Sequence, residues 1–391
     1  MLYYILFTIL IHLWKLIATE AYFQCDTSQR AFQPYAKWPN GILTYEFHSS
    51  LTAEDRNATQ MAFDDIQSKT CVRFQNRSNE NDYVSIKRDE NVCGWAHYCK
   101  IGGKQVASVG KDCSNLYTLV HELGHSLCLG HEHQRFDRDD FLQFKNCHAN
   151  EIPPKDTNID TRGTLYDYNS VMHNACGNCG GGWPKMSGVS ENQCTRKNNE
   201  GLSVLDADKL NEFYECQGCY THRWHSIEQL TEEDKNNMVS FGTGKTPGDP
   251  YYLCRGYVGG AIHAGKYWKK SGICYLPYGG REHFGTKLAQ VFTLPGGNTR
   301  TECGRMYETV LMNEFNIRNA VSSGILARAV KIGRKVGGVE CYAATAVIYD
   351  NSNGKETAIG TVCKDNLNRA YFPEAGLEYV KSEYNLIVCS N

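Results

Sequence analysis

Three histidines and one glutamate recur at close spacing between residues 121 and 131. His121 and His125 are four residues apart, so on a helix both imidazoles lie on one face and can bind one metal ion. His131 follows beyond the end of that helix. Three neutral imidazoles leave one position of a tetrahedral zinc ion open to water, which is typical of a catalytic site. Glu122 can accept a proton from that water, so the pattern predicts one Zn²⁺ ion and peptide hydrolysis.

A simpler explanation is an amphipathic helix whose histidines are polar surface residues. For a lone histidine that explanation would be preferred, but three at this spacing argue against it. The run from His121 to His131 continues as Glu-His-Gln-Arg-Phe-Asp-Arg-Asp over residues 132–139. The extended run resembles the signature of the astacin family of metzincin metalloproteases. The resemblance implies a zinc metalloendopeptidase that acts on protein or peptide substrates.

Three further residues take their expected roles from this resemblance. Met172, in the stretch 166–173, resembles a methionine that packs beneath the three histidines without binding the metal. Glu132 resembles the glutamate toward which the new amino terminus of the mature chain folds, since a buried carboxylate needs such a partner. Asn174 stands where the family has a tyrosine that donates a hydrogen bond to the tetrahedral intermediate. Loss of one such donor costs on the order of 10²–10³ in turnover, so either another group substitutes or the enzyme is slower; the intact ligand set favours activity.

A second departure from the family pattern lies between the ligands. Cys128 stands where the family has glycine at the exit of the helix, and a left-handed turn there would strain cysteine by roughly 1–2 kcal/mol. Gly130 offers another place for the turn, and a disulfide offers a way to hold Cys128. Because Cys25 also replaces a family glycine near the zinc, we hypothesise a Cys25–Cys128 disulfide.

The composition indicates a disulfide-rich globular protein of the secretory pathway. The chain has 391 residues, 18 cysteines and 41% hydrophobic residues, and it carries glycosylation sequons at Asn57 and Asn76. A net charge of -2 without a long basic run gives no electrostatic footprint for nucleic acid or anionic lipid. We therefore expect a secreted, extracellular glycoprotein with no nucleic-acid partner.

The first thirty residues read as segments removed or displaced on maturation. Residues 1–20 contain a short apolar run and are predicted to be a signal peptide, with an uncleaved anchor as the alternative. No later stretch is apolar enough to cross a membrane, so no membrane insertion of the mature protein is expected. Residues 21–30 are predicted to be a short pro-segment, in which Asp26 resembles the aspartate that astacin pro-peptides place on the zinc; a plain linker is the alternative. Cleavage after Arg30 would create an amino terminus at Ala31.

Residues 31–217 are predicted to form the protease domain, an α+β metzincin fold. The stretch 37–47 is predicted to be a turn followed by a strand, residues 53–68 are predicted to form a helix, and a closing helix is capped by Ser203 ahead of Asp206. The resemblance implies two disulfides, which join Cys71 to Cys216 and Cys93 to Cys113. The sequence leaves the other pairings open. For the Cys176-x-x-Cys179 pair, a bridged loop is preferred to a metal or redox motif.

Residues 220–391 are predicted to be a β-rich domain, because short aromatic and β-branched runs alternate with glycine. Stretches at 251–256, 264–266 and 274–283 resemble the DM9 repeat, with a weaker second copy at 319–386, so a tandem-repeat domain is expected. Some DM9 members bind mannose-type sugars, which makes Lys266 a candidate carbohydrate-binding residue and extracellular or cell-surface glycans candidate partners. Thr361 takes the equivalent place in the second copy, and a solvated strand-end lysine is the alternative for Lys266. Four aromatic residues could stack on a sugar or form core: Trp224, Tyr267, Trp268 and Tyr278.

The cysteine count constrains how the two domains are joined. Eleven cysteines lie at or before Cys216 and seven after it, so one bridge between the domains would pair them all. We expect a secreted zinc metalloendopeptidase whose appended domain holds it on a glycan-bearing surface. The alternative, motivated by Cys128 and Asn174, is a degenerate protease that acts as a secreted sugar-binding, lectin-like protein.

Overall fold

The structure is a computed structural model that describes residues 36–194, 200–246, 248–285, 288–297, 306–335, 338–349 and 354–390. The predicted signal peptide and pro-segment, with Cys25 and Asp26, lie outside the described residues. Gln33–Asn391 form one compact unit. Among the described residues, no helix combines the length and apolar character needed to cross a membrane.

The amino-terminal region, residues 36–216, contains three helices and seven strands. The helices are α1 (Ala53–Lys69), α2 (Leu116–Ser126) and α3 (Val204–Phe213). The strands are β1 (Ile42–Phe47), β2 (Arg73–Asn76), β3 (Tyr83–Asp89), β4 (Gly94–Ala96), β5 (Lys104–Gly110), β6 (Leu142–Gln143) and β7 (Trp183–Pro184).

The first five strands form one sheet in the order β2-β1-β3-β5-β4, in which β4 is the antiparallel edge strand. Its central strand β3 carries buried Val84 and Ile86, and α1 and α2 pack their apolar faces into the same core. A capping box between Thr52 and Asp55 satisfies the first backbone N–H groups of α1. Helix α2 therefore packs against the sheet and α1, which hold it in place.

The carboxy-terminal β region, residues 217–390, is dominated by one large sheet. The strands are β8 (Arg223–Ser226), β9 (Ser240–Thr243), β10 (Pro250–Val258), β11 (Ala261–Trp268), β12 (Ile273–Tyr278), β13 (Arg281–Gly285), β14 (Ala289–Thr293), β15 (Tyr307–Met312), β16 (Lys331–Lys335), β17 (Val339–Tyr349), β18 (Lys355–Cys363), β19 (Ala370–Glu374), β20 (Leu377–Lys381) and β21 (Tyr384–Cys389). Three short helices join them: α4 (Glu232–Asn236), α5 (Glu314–Arg318) and α6 (Ile325–Arg328). All of these strands belong to a 14-stranded sheet, which confirms the predicted β-rich region.

Two glycines mark the place where backbones approach closely within this sheet. A Cβ at Gly265 would lie 1.9 Å from the carbonyl oxygen of Tyr275, and one at Gly360 would lie 2.0 Å from that of Tyr371. Each glycine precedes one of the two positions, Lys266 and Thr361, that the resemblance to the DM9 repeat made equivalent. The correspondence supports two similar halves, although the tandem repeat itself stays a prediction.

Eight disulfides join the described cysteines. Their pairs are Cys71–Cys216, Cys93–Cys113, Cys99–Cys128, Cys147–Cys179, Cys176–Cys194, Cys219–Cys389, Cys254–Cys274 and Cys341–Cys363. The first two are the pairs that the resemblance implied. The hypothesis of a Cys25–Cys128 disulfide is wrong, because Cys128 lies beside Cys99. The metal or redox alternative for Cys176 and Cys179 is also wrong, since each belongs to a different disulfide.

The β region packs directly against the amino-terminal region through buried polar contacts. Arg255 on β10 is fully buried and its Nη1 donates to Asp208 Oδ2 on α3 at 2.8 Å. Tyr257 donates its hydroxyl to the carbonyl oxygen of Tyr166 at 2.7 Å. Because Tyr166 lies a few residues before Met172, the β region supports the segment beneath the predicted metal site. The boundary between two domains near residue 217 stays a prediction.

Candidate metal centre

Helix α2 positions the first two histidines and the glutamate. It begins after Asn115, whose side chain accepts a hydrogen bond from Thr118 N, and its buried face packs Leu119 and Leu123 into the sheet core. The opposite face carries His121 and His125 one turn apart. The helix is therefore fixed by its apolar face, while both imidazoles point toward the following segment.

The three histidines converge at distances that fit one metal ion. His125 Nε2 lies 3.1 Å from His131 Nε2, which in turn lies 3.3 Å from His121 Nε2. Ligands about 2.0–2.1 Å from a tetrahedral zinc ion are separated by roughly 3.4 Å. The observed separations match that value closely, so the residues present fit zinc.

Each histidine also has an acceptor for its other ring nitrogen. His121 Nδ1 lies 2.8 Å from Val171 O, His125 Nδ1 lies 2.9 Å from Leu129 O, and His131 Nδ1 lies 2.6 Å from Gln134 Oε1. Protonation at Nδ1 satisfies all three acceptors and leaves the Nε2 lone pairs for the metal. Burial lowers the pKa of His125 to about 4, which favours the neutral form that a ligand requires.

The exit from α2 shows the strain that Cys128 was expected to carry. Cys128 has a φ of 76°, in the left-handed region, and its N–H donates to His125 O. The disulfide to Cys99 holds it there, and Cys99 N also donates to His125 O. The turn therefore stays at the position of the family glycine and does not move to Gly130.

Met172 is buried against helix α2, and its role beneath the three histidines stays a prediction. Its side chain is 1% exposed, and its Sδ lies 3.0 Å from where a Cβ at Gly124 would be. Its carbonyl oxygen accepts a hydrogen bond from Glu132 N at 3.0 Å. The methionine segment and the turn that carries the third ligand are therefore joined through the backbone.

Glu122 is buried beside the first ligand, with 6% of its surface exposed. Gly94 on the edge strand β4 lies directly over it. A Cβ at Gly94 would lie 2.4 Å from Glu122 Oε1. The glutamate carboxylate therefore occupies space that only a glycine on β4 leaves free.

Glu132 is buried and ion-paired, with three donors on its carboxylate. Lys209 Nζ lies 2.5 Å from Oε2, while Arg135 Nη1 and Asp167 N lie 2.9 Å and 2.8 Å from Oε1. Burial alone would raise the pKa of Glu132, but Lys209 and Arg135 outweigh it and lower the pKa to about 2. Glu132 is therefore a charged residue inside the protein.

Asn174 lies beside His133. Burial lowers the pKa of the His133 imidazole to about 2. Asn174 N donates to His133 Nδ1 at 3.1 Å, and its Nδ2 donates to Gly180 O at 3.3 Å. These two contacts hold Asn174 against the third-ligand turn on one side and the loop after residue 174 on the other.

Sequence reasoning missed several residues that position the site. Gln134 could have been suspected because it follows His131 by three residues. Lys209, Cys99 and Gly94 come from distant stretches, and no local pattern marks them. Only the folded chain brings them to the centre.

Lys266 in the β region is buried, with 3% of its surface exposed, so the solvated strand-end alternative is wrong. Its Nζ lies 2.9 Å from Glu356 Oε1, contacts Glu374 Oε2, and lies 3.9 Å from Glu282 Oε1. Thr361 contacts the strand that carries Lys266, because its Oγ1 accepts a hydrogen bond from Ala264 N at 2.6 Å. Lys266 thus lies within a cluster of carboxylates.

The four aromatic candidates of the β region have different surroundings. Trp224 and Tyr267 are core residues, at 5% and 4% exposure, and Trp268 donates to Asp249 Oδ2. Tyr278 is 40% exposed and packs near the His263 ring. Of the four, Tyr278 is the best placed to contact a ligand.

Residues 30–215 match the family model described as Astacin, a family of peptidases. This part of the chain is an astacin-family domain. The predicted family, the zinc metalloendopeptidase class and the single catalytic zinc are thereby confirmed.

The chain is similar to two curated relatives and one solved structure. The chain is 26% identical to zinc metalloproteinase nas-6 of Caenorhabditis elegans over 261 residues, covering 61% of this chain and 70% of that protein. It is 33% identical to zinc metalloproteinase nas-14 of the same organism over 193 residues, covering 47% of this chain and 38% of that protein. High choriolytic enzyme 1, a hatching enzyme zinc-protease of Oryzias latipes, aligns with a TM-score of 0.40 and 24% identity over 48% of this chain and 99% of its own. The chain therefore spans well under half of nas-14.

Proposed function

We propose that this protein hydrolyses peptide bonds, with His121, His125 and His131 holding the zinc ion and Glu122 moving the proton. The observation that carries the proposal is the convergence of the three Nε2 atoms at 3.1 Å and 3.3 Å, one residue from a buried glutamate. A bound zinc ion would lower the pKa of water and polarise the scissile carbonyl. Glu122 would accept the proton from the attacking water and return it to the leaving amine.

The edge strand β4 suggests how a substrate would be held. One side of β4 pairs with β5, and the other is the edge of the sheet. An extended peptide can add to such an edge through main-chain hydrogen bonds. Because Gly94 on this strand lies over Glu122, a peptide along β4 would bring a carbonyl group to the metal centre. We therefore expect extended segments of proteins or peptides as substrates.

The supporting residues act through the ligands. Met172 supports the histidines from below, and Glu132 fixes the turn that carries His131. The position that a family tyrosine would fill is taken by Asn174, whose amide is turned to Gly180. We infer that the hydrogen bond it would supply is weak or is replaced by water, and that turnover is correspondingly slower.

We further propose that the protein is secreted and glycosylated. Asn57 and Asn76 are both exposed, which supports their use as glycosylation sites. The eight disulfides support an oxidising compartment. Residues 1–20 and 21–30 remain the proposed signal peptide and pro-segment, with Asp26 as zinc blocker.

For the β region, residues 220–391, we propose a DM9-like domain that binds glycans. Support comes from the matched glycines, and the buried cluster around Lys266 would act by holding strands β11, β18 and β19 together beneath the binding surface. Tyr278 offers an exposed ring on the same sheet. A glycan array with the secreted protein and its Lys266→Met variant would test this, and equal binding by both would reject the assignment.

The central experiment measures hydrolysis of a broad fluorogenic peptide set by the secreted protein. A zinc chelator and the variant Glu122→Gln, which keeps the shape of the side chain, should each abolish turnover. Zinc content measured on the same samples separates loss of metal from loss of the proton acceptor. A folded, zinc-loaded protein without turnover, once residues before Ala31 have been removed, would favour the sugar-binding alternative.

A further inference from the structure

The buried carboxylate of Glu132 already has a full set of partners inside the described chain. Oε1 accepts from Arg135 and from Asp167 N, and Oε2 accepts from Lys209. Glu132 is 1% exposed and Lys209 is 6% exposed, so the pair is shielded from solvent. Such a pair is favourable only when its geometry and its other hydrogen bonds are well satisfied, as they are here.

Two cations of the described chain lie at the carboxylate of Glu132. Arg135 pairs with Glu132 and, through Nη2, with Asp137 Oδ2 at 2.7 Å. Glu132 and Asp137 thus face the two cations Arg135 and Lys209. Burial and the neighbouring Asp206 raise the pKa of Asp167, whose carboxyl lies beside this group. An α-ammonium group arriving at Glu132 would have to displace a bonded donor or share its oxygen.

Lys209 is held in place by its own helix. The capping box of Ser203 and Asp206 starts α3, and the Cys71–Cys216 disulfide anchors the chain after its end. Asp206 in turn accepts hydrogen bonds from Ser170 Oγ at 2.6 Å and from Val171 N at 2.9 Å. The position of the lysine is therefore set by the closing helix.

Glu132 links Lys209 to the metal centre. It follows the ligand His131 directly, and its N–H donates to Met172 O. Its carboxylate also accepts from Asp167 N, in the segment that leads to Met172. The Lys209–Glu132 pair thus joins the closing helix, the methionine segment and the turn of the third ligand.

We propose that Lys209 is a positioning residue that fixes Glu132 and His131, so that the metal centre forms without a free amino terminus at Ala31. The inference rests on the proposed roles of the three histidines. It replaces the expectation that cleavage after Arg30 supplies the partner of Glu132. The side-chain ammonium group of Lys209 takes the place of that terminal amine.

The first test measures zinc affinity by competition with a chelator, in the secreted full-length protein. Lys209→Met should weaken zinc binding by about 10–100-fold, the usual effect of losing a residue that supports a ligand. The visible spectrum of the cobalt-substituted protein should change as well. Lys209→Arg should restore most of the affinity, because it returns the positive charge.

Lys69→Met is a matched control, because Lys69 forms a largely buried pair with Asp65 at 2.6 Å on α1. It should lower stability while leaving zinc affinity within about twofold of the original. The same result for Lys209→Met would overturn the proposal, since it would show a purely structural role. If Lys209→Met does not fold, Glu132→Gln with Lys209→Met should recover folding, because the uncompensated carboxylate is gone; failure of the double variant to recover would contradict the pairing.

The second test asks whether an uncut chain has the same metal centre. The variant Arg30→Ala with Asp26→Ala blocks the proposed cleavage and removes the proposed zinc blocker. Its zinc affinity and cobalt spectrum should match those of the chain cut after Arg30. An affinity at least tenfold weaker, restored by cutting, would overturn the proposal. Zinc affinity decides this even if neither form hydrolyses peptides, so failure of the proposed function would be recognised separately.

Discussion

Gly94 leaves the space in which the proposed proton acceptor lies. In Gly94→Ala the new methyl group would meet Glu122 Oε1 at 2.4 Å, so the carboxylate or the strand must move. We expect peptide hydrolysis to fall by about 10–100-fold, because a misplaced acid–base group loses much of its contribution. Zinc content should stay unchanged, because the proposed metal ligands are the three histidines and not Glu122. Unchanged turnover in steady-state assays would show that β4 can shift away from Glu122 without loss of activity.

Cys128 combines a strained backbone with a covalent tie. Two double variants separate these effects: Cys99→Ser with Cys128→Gly, and Cys99→Ser with Cys128→Ser. Both lose a disulfide that closes a 29-residue separation, which should cost about 2–4 kcal/mol of unfolding free energy. The glycine variant should be more stable than the serine variant by about 1 kcal/mol, because glycine adopts a φ of 76° without strain. Urea denaturation of the pair would measure this difference, and equal midpoints would mean that the turn relaxes.

At the scale of elements, strands β11, β18 and β19 bring Lys266, Glu356 and Glu374 together. Burial and the neighbouring carboxylate raise the pKa of Glu356 from its ordinary value to about 8. A raised carboxylate pKa means that the folded state keeps a proton that the unfolded chain releases. Its contribution to stability is therefore present at about pH 4 and is lost as pH rises through about 8.

We expect Glu356→Gln to flatten this decline. Between pH 5 and pH 8 the variant should lose about 1–2 kcal/mol less unfolding free energy than the original protein. Thermal or chemical denaturation across this pH range would measure the slopes. Glu308→Gln, at an exposed glutamate on β15, is the control. A slope in Glu356→Gln equal to that of the original would contradict the assignment.

Helix α2 was predictable because its chemistry is local. The four-residue spacing of His121 and His125 places both on one face whatever the surrounding fold, and the third ligand follows within six residues. Cys71–Cys216 followed from a family resemblance. The partner of Cys128 did not, because Cys99 lies on a different segment and only the sheet brings it near. Lys209 was missed for the same reason: its helix was foreseen, but its contact with Glu132 depends on how that helix packs.

For the molecule as a whole, the contacts of Arg255 make the two regions one folding unit. Arg255 bonds Asp208, Gln290 Oε1 and Ile332 O, and its guanidinium lies 4.1 Å from the Trp224 ring. Arg255→Ala should therefore cost about 3–5 kcal/mol, because it leaves the partly buried carboxylate of Asp208 and the buried amide of Gln290 without their partner. Calorimetry should show one transition in the original protein and two in the variant. A single transition in both would mean that other contacts suffice to couple the regions.

Two cysteines of the sequence lie outside the described residues. The eight disulfides use sixteen of the eighteen cysteines. The two others in the sequence, Cys25 and Cys303, lie on either side of the expected domain boundary, as the odd counts require. We predict that they pair with each other in the full-length protein. Non-reducing peptide mapping should find one crosslinked peptide that contains both, and a free thiol at either position would contradict this.

The large sheet of the β region shows where prediction from sequence reaches its limit. Glycine and aromatic patterns predicted strands in the regions of β10 to β13 and β17 to β20. That these strands form one sheet depends on pairings such as that of Arg281 with Leu377. These pairings join residues about a hundred positions apart. Short-range patterns carry no information about them, whereas the hydrophobic alternation within each strand does predict the strand itself.

The internal position of Lys209 also affects how such an enzyme can be kept inactive in the cell that makes it. If the ammonium group is built into α3, cutting the amino terminus cannot switch the enzyme on through Glu132. Latency would then depend on what occupies the open metal position or on whether zinc has bound. Trimming by aminopeptidases, which would silence an enzyme that relies on its terminal amine, should leave this one working.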